Sequence, residues 1–384
     1  MIKIVTVIGA RPQIIKAAAL SRAIKNHYAD KITEVMVHTG QHYDANMSQV
    51  FFDELGVPKE NYNLNVGSGS HAAQTAKMLS GIEEILLAEL PDALLVYGDT
   101  NSTLAGAIAA SKIHIPVVHV EAGLRSFNKK MPEEINRITC DHCSTLLFSP
   151  TKAGFDNLIR EGFRAANAPP YTLDNPKIMH CGDVMYDNSL HFETIANQQS
   201  KVLEQLQLKD KKFVLVTVHR AENTDSSHNM NNLFSSFDEL SKANQIDFVI
   251  PLHPRTAKLM ETLLDKGIYE TVKTNPFIKI IEPVSFLEMI SLEANATCVV
   301  TDSGGVQKEA FFFKKPCIIL RGQTEWTELV SCGSAILTGA DKSKISAAYQ
   351  YFENQKTALK FPKLFGDGKA AEFICEMMVS CFEK

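Results

Sequence analysis

No apolar run in this 384-residue chain approaches the roughly 20 residues needed to cross a bilayer, so no membrane-spanning helix is expected. There is no long basic run, and the net charge is −5, which speaks against a nucleic-acid partner. The Walker pattern GxxxxGK followed by Ser or Thr is absent, which argues against a P-loop ATPase. HExxH and paired CxxC motifs are absent too, so no catalytic metal is expected. Without a GxSxG elbow, a serine hydrolase of that type is disfavoured. Repeats, low-complexity tracts and coiled-coil heptads are also lacking. The opening MIKIVTVIGARPQIIK has a short apolar run followed by a turn, which suits the fold better than a secretion signal. The chain is therefore expected in the cytoplasm, with its eight cysteines as reduced thiols. Cys140 and Cys143 form a lone CxxC, for which a structural reading is preferred to redox or zinc chemistry. Cys298 and Cys317 stand in apolar runs and are expected in the core.

The chain is 45% hydrophobic and 22% charged, an ordinary globular mix, and long enough for two cores. Short apolar runs alternate with amphipathic stretches: KIVTVIG, TEVMVHTG, ALLVYGD, PVVHVE, STLLFSP and KIMHCGD. Near-continuous apolar strands between helices indicate a parallel sheet covered on both faces. The pattern weakens over 163–177, which carries three prolines and reads as a surface loop. Alternation then restarts with KFVLVTVH, IDFVIPLHP, IKIIEPV, TCVVTDSGG and KPCIILRG. The expected fold is α/β, with two Rossmann-like domains facing a cleft. One is expected over 1–186 and the other, binding a nucleotide, over 187–365; the final helix of 366–384 is expected to pack back on the first.

Ligands of open parallel sheets bind outside the carboxyl ends of the strands. Two first-half strand candidates end there on acids, ALLVYGD on Asp99 and PVVHVE on Glu121. A third acid, Glu133, follows in MPEEINR. Neighbouring buried carboxylates have raised pKa values and can carry protons near neutral pH. Asp99 could instead cap a helix through Asp99-Thr100-Asn101. The first strand of the second half ends on His219, which could move a proton or steady a phosphate. His253 and Arg255 stand similarly after the next strand. His38, His42, His114 and His119 have no spacing that demands a metal.

Anion-binding turns are the second signal. VVTDSGG runs into VQKEAFFF, a strand, a glycine turn and a helix start, where free N–H groups and the helix dipole favour a phosphate. Ser303, Gly304 and Gly305 form that turn, and Glu309 lies one or two helical turns on, where it could hold ribose hydroxyls. In the first loop, GARPQIIK, Arg11 and Lys16 are placed to add cations. Gly67-Ser-Gly69-Ser-His-Ala72 fits the dinucleotide pattern, but a polar run precedes it and no strand-ending acid follows, so it reads as a loop. Together the residues suggest a nucleotide-sugar enzyme without metal or redox cofactor.

GARPQIIK, HTGQH, YGDTNST, HVEAGLRS, MPEEINR, VHRAEN and TDSGGVQKEA occur in this order between Gly9 and Ala310. As a set they resemble the non-hydrolysing UDP-N-acetylglucosamine 2-epimerases, and GDGKAAEFI resembles that family's closing helix. The resemblance implies a glycosyltransferase-B fold and inversion of C2 of a UDP-HexNAc. It implies that a base removes the C2 proton and UDP leaves C1 to give a 2-acetamidoglucal. UDP then adds back, and C2 is reprotonated from the other face. Asp99, Glu121 and Glu133 would be the catalytic carboxylates, and His219 would assist the leaving UDP. Arg11 and Lys16 would lie near the phosphates and Arg137 on the substrate side. Ser303, Gly304 and Gly305 would bind the diphosphate, and Glu309 the ribose. Phe286 and Met289 would meet uracil, and Arg321 would add a charge. The resemblance also implies a homodimer that needs no cofactor.

Two features depart from the GlcNAc enzymes of that family. The chain reads His219-Arg220-Ala221-Glu222-Asn223 and Gln323-Thr324-Glu325-Trp326, closer to the branch acting on UDP-2,3-diacetamido-2,3-dideoxy-glucuronate. Residues 61–80 hold no arginine, which puts in doubt the activating pocket that some relatives build with Gln41 and His42. A glycosyltransferase of the same fold using a UDP-sugar, or a silent UDP-sugar sensor, remains the alternative.

Overall fold

The computed structural model describes residues 1–40, 56–252, 254–355 and 358–383, with the backbone alone at 254 and 255. The chain forms two compact units. One comprises Met1–Asn188 with Lys363–Lys384, the other Ser189–Pro362.

In the first unit the strands are β1 (Ile2–Ile8), β2 (Ile32–His38), β3 (Tyr62–Asn63), β4 (Ala93–Tyr97), β5 (Val117–Val120), β6 (Leu146–Ser149) and β7 (Lys177–His180). They pair in parallel in the order β3-β2-β1-β4-β5-β6-β7. β4 and β5 are buried at every position because helices cover both faces. Val5, Val7, Val35, Val37, Leu94 and Val96 pack there against Met78, Ile82, Ile85 and Leu86 of the helix His71–Glu89. Burying each such side chain contributes roughly 1.5–3 kcal/mol. The glycine pattern at 67–72 is the loop of residues 67–70 with the first two residues of that helix, and Ser70 caps it. Residues 163–176 hold no helix or strand.

The last helix, Ala370–Phe382, packs on the first, Arg11–His27. Asp187 caps its start, accepting the N–H of Ala370 at 3.2 Å and of Ala371 at 2.7 Å.

In the second unit the strands are β8 (Phe213–Thr217), β9 (Asp247–Pro251), β10 (Ile278–Ile281), β11 (Cys298–Thr301), β12 (Cys317–Ile319) and β13 (Ala335–Leu337). These too are parallel, in the order β10-β9-β8-β11-β12-β13. Its core joins Val214, Val216, Phe234, Phe237, Phe248 and Tyr349. Cys298 and Cys317 are buried in this sheet, and all eight cysteines are free thiols.

Strand order reverses between β1 and β4 in one sheet and between β8 and β11 in the other. Such switch points open crevices at the carboxyl ends of the strands. Arg11, Lys16 and Asp99 follow the first pair; His219 and Ser303 follow the second.

Candidate active site

The first cluster is built around the ends of β4 and β5. Gly98 turns the chain out of β4 at φ +62°, and a Cβ there would lie 3.1 Å from both Glu121 Oε2 and Lys16 Nζ. A glycine thus leaves room for the Lys16–Glu121 ion pair, which is largely shielded from solvent. Glu121 itself sits at φ +79°, a costly conformation for a non-glycine residue. Its N–H is held by the Phe148 carbonyl at 3.0 Å. Buried Gln13 ties the first loop to β4, accepting from Gly9 N–H and donating to the Tyr97 carbonyl at 3.0 Å. Arg11 opens the helix after that loop and is exposed.

Asp99 faces Arg137, whose Nε donates to Oδ2 at 2.8 Å. Burial raises the Asp99 pKa; Arg137 and Lys16 oppose that rise, and Glu121 adds to it. Asn136 donates to the Asp99 carbonyl at 2.8 Å. Arg137 is buried as well, and its other arm meets Glu134 Oε2 at 2.5 Å. Burial pushes Glu134 up, but the N–H groups of Ser126 and Phe127, with Arg137, outweigh it and hold the carboxyl below its ordinary value. Glu133 is exposed in the first turn of the same helix, Pro132–His142.

The second cluster lies at the ends of β8 and β11. Asp302 is fully buried and accepts the N–H of His219 and Arg220, each at 3.1 Å, and Asn223 Nδ2 at 3.0 Å. His219 Nδ1 stands 3.1 Å from Asp302 Oδ1, with the imidazole about half exposed. Burial raises the Asp302 pKa, but the bonds from His219 and Asn223 more than offset this and leave it low.

Ser303 caps the helix Gly304–Phe312, its hydroxyl accepting Val306 N–H at 3.4 Å. A Cβ at Gly304 would meet Glu325 Oε1 at 2.2 Å, so any other residue there would have to displace the Glu325 carboxylate. Gly305 is exposed, leaving its backbone open to a ligand. Arg321 is buried and spends its charge on Glu325 at 3.0 Å. Glu309 is half-buried; its neighbour Glu293 is fully buried, and burial together with Glu309 holds that carboxyl well above its ordinary value. Phe286 packs edge-on to Phe192, and Met289 is half-buried on the same helix, Phe286–Asn295. Gln41, His42 and His253 lie outside the described residues, as does the Arg255 side chain.

One cluster therefore carries two acids braced by cations, and the other an anion-binding helix start with a histidine beside it. The family description "UDP-N-acetylglucosamine 2-epimerase" matches residues 23–379. The chain belongs to the UDP-N-acetylglucosamine 2-epimerase family. The UDP-N-acetylglucosamine 2-epimerase homolog of Methanococcus maripaludis is 48% identical over 377 residues, 98% of this chain and 99% of the relative. The UDP-2,3-diacetamido-2,3-dideoxy-D-glucuronate 2-epimerase of Pseudomonas aeruginosa is 46% identical over 376 residues, again 98% and 99%. The crystal structure of Methanocaldococcus jannaschii UDP-GlcNAc 2-epimerase in complex with UDP-GlcNAc and UDP has a TM-score of 0.82 at 41% identity, covering 98% of this chain and 99% of its own. The two-unit α/β fold, glycosyltransferase-B-like, is that of these epimerases.

Sequence reading of this epimerase passed over three residues. Glu134 and Asp302 are buried partners of Arg137 and His219. Asp141, inside the CxxC run, pairs with His119 and Arg125. Each neighbours a residue that was singled out, and only burial separates the two roles.

Proposed function

We propose that this C2 epimerase acts on UDP-N-acetylglucosamine or its 2,3-diacetamido-2,3-dideoxy-glucuronate analogue, by elimination and re-addition of UDP. The observation that carries the reading is the pair of acids ending adjacent strands, Asp99 after β4 and Glu121 after β5, each facing its own cation. Inversion at C2 needs a proton removed from one face and returned to the other, so two acid/base groups are required. Asp99 and Glu121 serve these faces, and Glu133, on the helix that also carries Arg137, is the third acid. His219, oriented by Asp302, steadies UDP as it leaves. Ser303, Gly304 and Gly305 hold the diphosphate, the two glycines through their N–H groups at the helix start and Ser303 from the cap position, its own N–H being given to Thr301 at 2.9 Å. Glu309 takes the ribose, and Phe286 and Met289 line the uracil. Arg11 and Lys16 add positive charge to the phosphates, and Arg321 sets Glu325 beside the glycine turn.

The enzyme works in the cytoplasm as a homodimer and supplies precursors for surface polysaccharide. Relatives named for each sugar are similarly close, at 48% and 46% identity, so the substrate is decided by experiment. Offering both UDP-sugars side by side and following C2 by NMR tests the reading. Inversion of one or both supports it. Transfer of the sugar to an acceptor with C2 retained would make the protein a glycosyltransferase.

A further inference from the structure

His119 stands on β5, two residues before Glu121, and is completely buried. Its Nε2 lies 2.8 Å from the Gly98 carbonyl, and its Nδ1 lies 2.7 Å from Asp141 Oδ1. A carbonyl oxygen only accepts, so Nε2 carries a hydrogen. Asp141 Oδ2 accepts Gly123 N–H at 3.1 Å and meets Arg125 at 2.7 Å, the bonding of an ionised carboxylate, so Nδ1 carries a hydrogen as well. The ring is therefore an imidazolium. Burial alone would push its pKa down, but Cys140 and Asp141 outweigh that and hold it well above the ordinary value. Arg125 continues the chain of charges to Glu161 through bonds of 2.7 and 2.6 Å. Ion pairs this buried are costly to assemble, and removing one partner leaves the other's charge buried and uncompensated.

These bonds fall on the two turns that carry the acids. Gly98 N–H goes to the Val120 carbonyl at 3.0 Å, and its carbonyl is taken by His119, so both backbone polar groups of the residue before Asp99 are fixed to β5. Asp141 holds Gly123, two residues after Glu121, by its N–H. One imidazolium–carboxylate pair thus ties the turn leading into Asp99 to the turn leaving Glu121.

We propose that His119, held by Asp141, is the positioning residue of the acid pair, fixing Asp99 and Glu121 relative to one another for proton transfer at C2. The proposal rests on the reaction given above. It also absorbs the CDHC run, whose working member is Asp141 rather than either cysteine.

The test is His119→Gln, with Asp141→Asn beside it; the latter keeps an acceptor oxygen for Nδ1 and carries the test where the first variant fails to fold. Three quantities are read on each full-length protein: C2 deuterium incorporation from D2O, UDP affinity by calorimetry, and ring N–H resonances of 15N-histidine-labelled enzyme. The expected result is a turnover loss of about 100-fold for His119→Gln, since misplacement by about 1 Å has that effect. UDP affinity should stay within about twofold, because uniform binding is untouched. Wild-type enzyme should show one buried histidine with both ring N–H signals persisting above neutral pH, absent in His119→Gln. Turnover within about threefold of wild type would overturn the proposal. So would a parallel loss of UDP affinity and cooperative unfolding, or a neutral ring at position 119. Wild-type enzyme that incorporates no deuterium overturns the reaction instead, and the ring signals still decide whether His119 holds the charge that grips Gly98.

Discussion

Arg137 Nε lies 2.8 Å from Asp99 Oδ2 while the same guanidinium holds Glu134. Burial raises the Asp99 pKa and Arg137 pulls it back. Replacing Arg137 with Gln removes that restraint, so Asp99 keeps its proton to higher pH. Whether Asp99 acts as acid or base, the limb of the pH profile of kcat/KM that it controls should move to higher pH. A shift of about one unit corresponds to about 1.4 kcal/mol of lost interaction. Rate profiles of the two enzymes from pH 5 to 10 check it, and a shift to lower pH would contradict the pairing.

Lys16 and Glu121 form an ion pair in the space left by Gly98. Glu121→Gln keeps the shape and removes the charge. Turnover should fall by about 100- to 10,000-fold, the usual worth of a positioned acid/base group, with UDP binding retained. Steady-state assay and calorimetry on one preparation measure both.

Trp326 is the sole tryptophan, buried, with Lys308 Nζ 4.2 Å from its ring centre. It follows Glu325, whose carboxylate packs against Gly304. UDP on the glycine turn should therefore change the emission of Trp326. Gly304→Ala forces Glu325 away and crowds the turn, and should weaken UDP by about tenfold or more, roughly one hydrogen bond from the turn to a charged phosphate. Titration of both proteins with UDP, followed by fluorescence, gives the ratio.

The strand–helix alternation was legible because buried parallel strands must be apolar along their whole length, as in ALLVY and VVHV. Asp99 and Glu121 were legible because they break such runs at the carboxyl end. Partner residues were not. Glu133 and Glu134 are adjacent acids in one helical turn, and the packing of that helix decides which is buried beside Arg137. Asp302 was passed over beside Ser303 because its contacts, His219 and Asn223, are about 80 residues away in sequence. Arg321 was expected to add a charge, and its pairing with Glu325 four residues on is a side-chain contact that sequence spacing does not show.

Asp187 should leave a mark on stability. Burial pushes its pKa from 3.8 up to about 6, against the N–H groups of Ala371 and Ala370. Between those values the folded state holds a proton that the unfolded chain has lost. Its contribution is therefore full below pH 3.8 and fades as pH rises through about 6. Relative to Asp187→Asn, wild type should lose about 3 kcal/mol over that window. Urea unfolding of both proteins at pH 4, 5, 6 and 7 reads the difference, and an equal gap at every pH would refute it.

Proton transfer at C2 is the central claim, and solvent exchange tests it most directly. The enzyme is incubated with UDP-N-acetylglucosamine and with its diacetamido-uronate analogue in D2O, without any acceptor, and C2 is followed by NMR. Deuterium should enter C2 of at least one sugar and appear in both epimers as equilibrium is approached. Retention of protium at C2 in both sugars, whether or not UDP is released, would contradict the account.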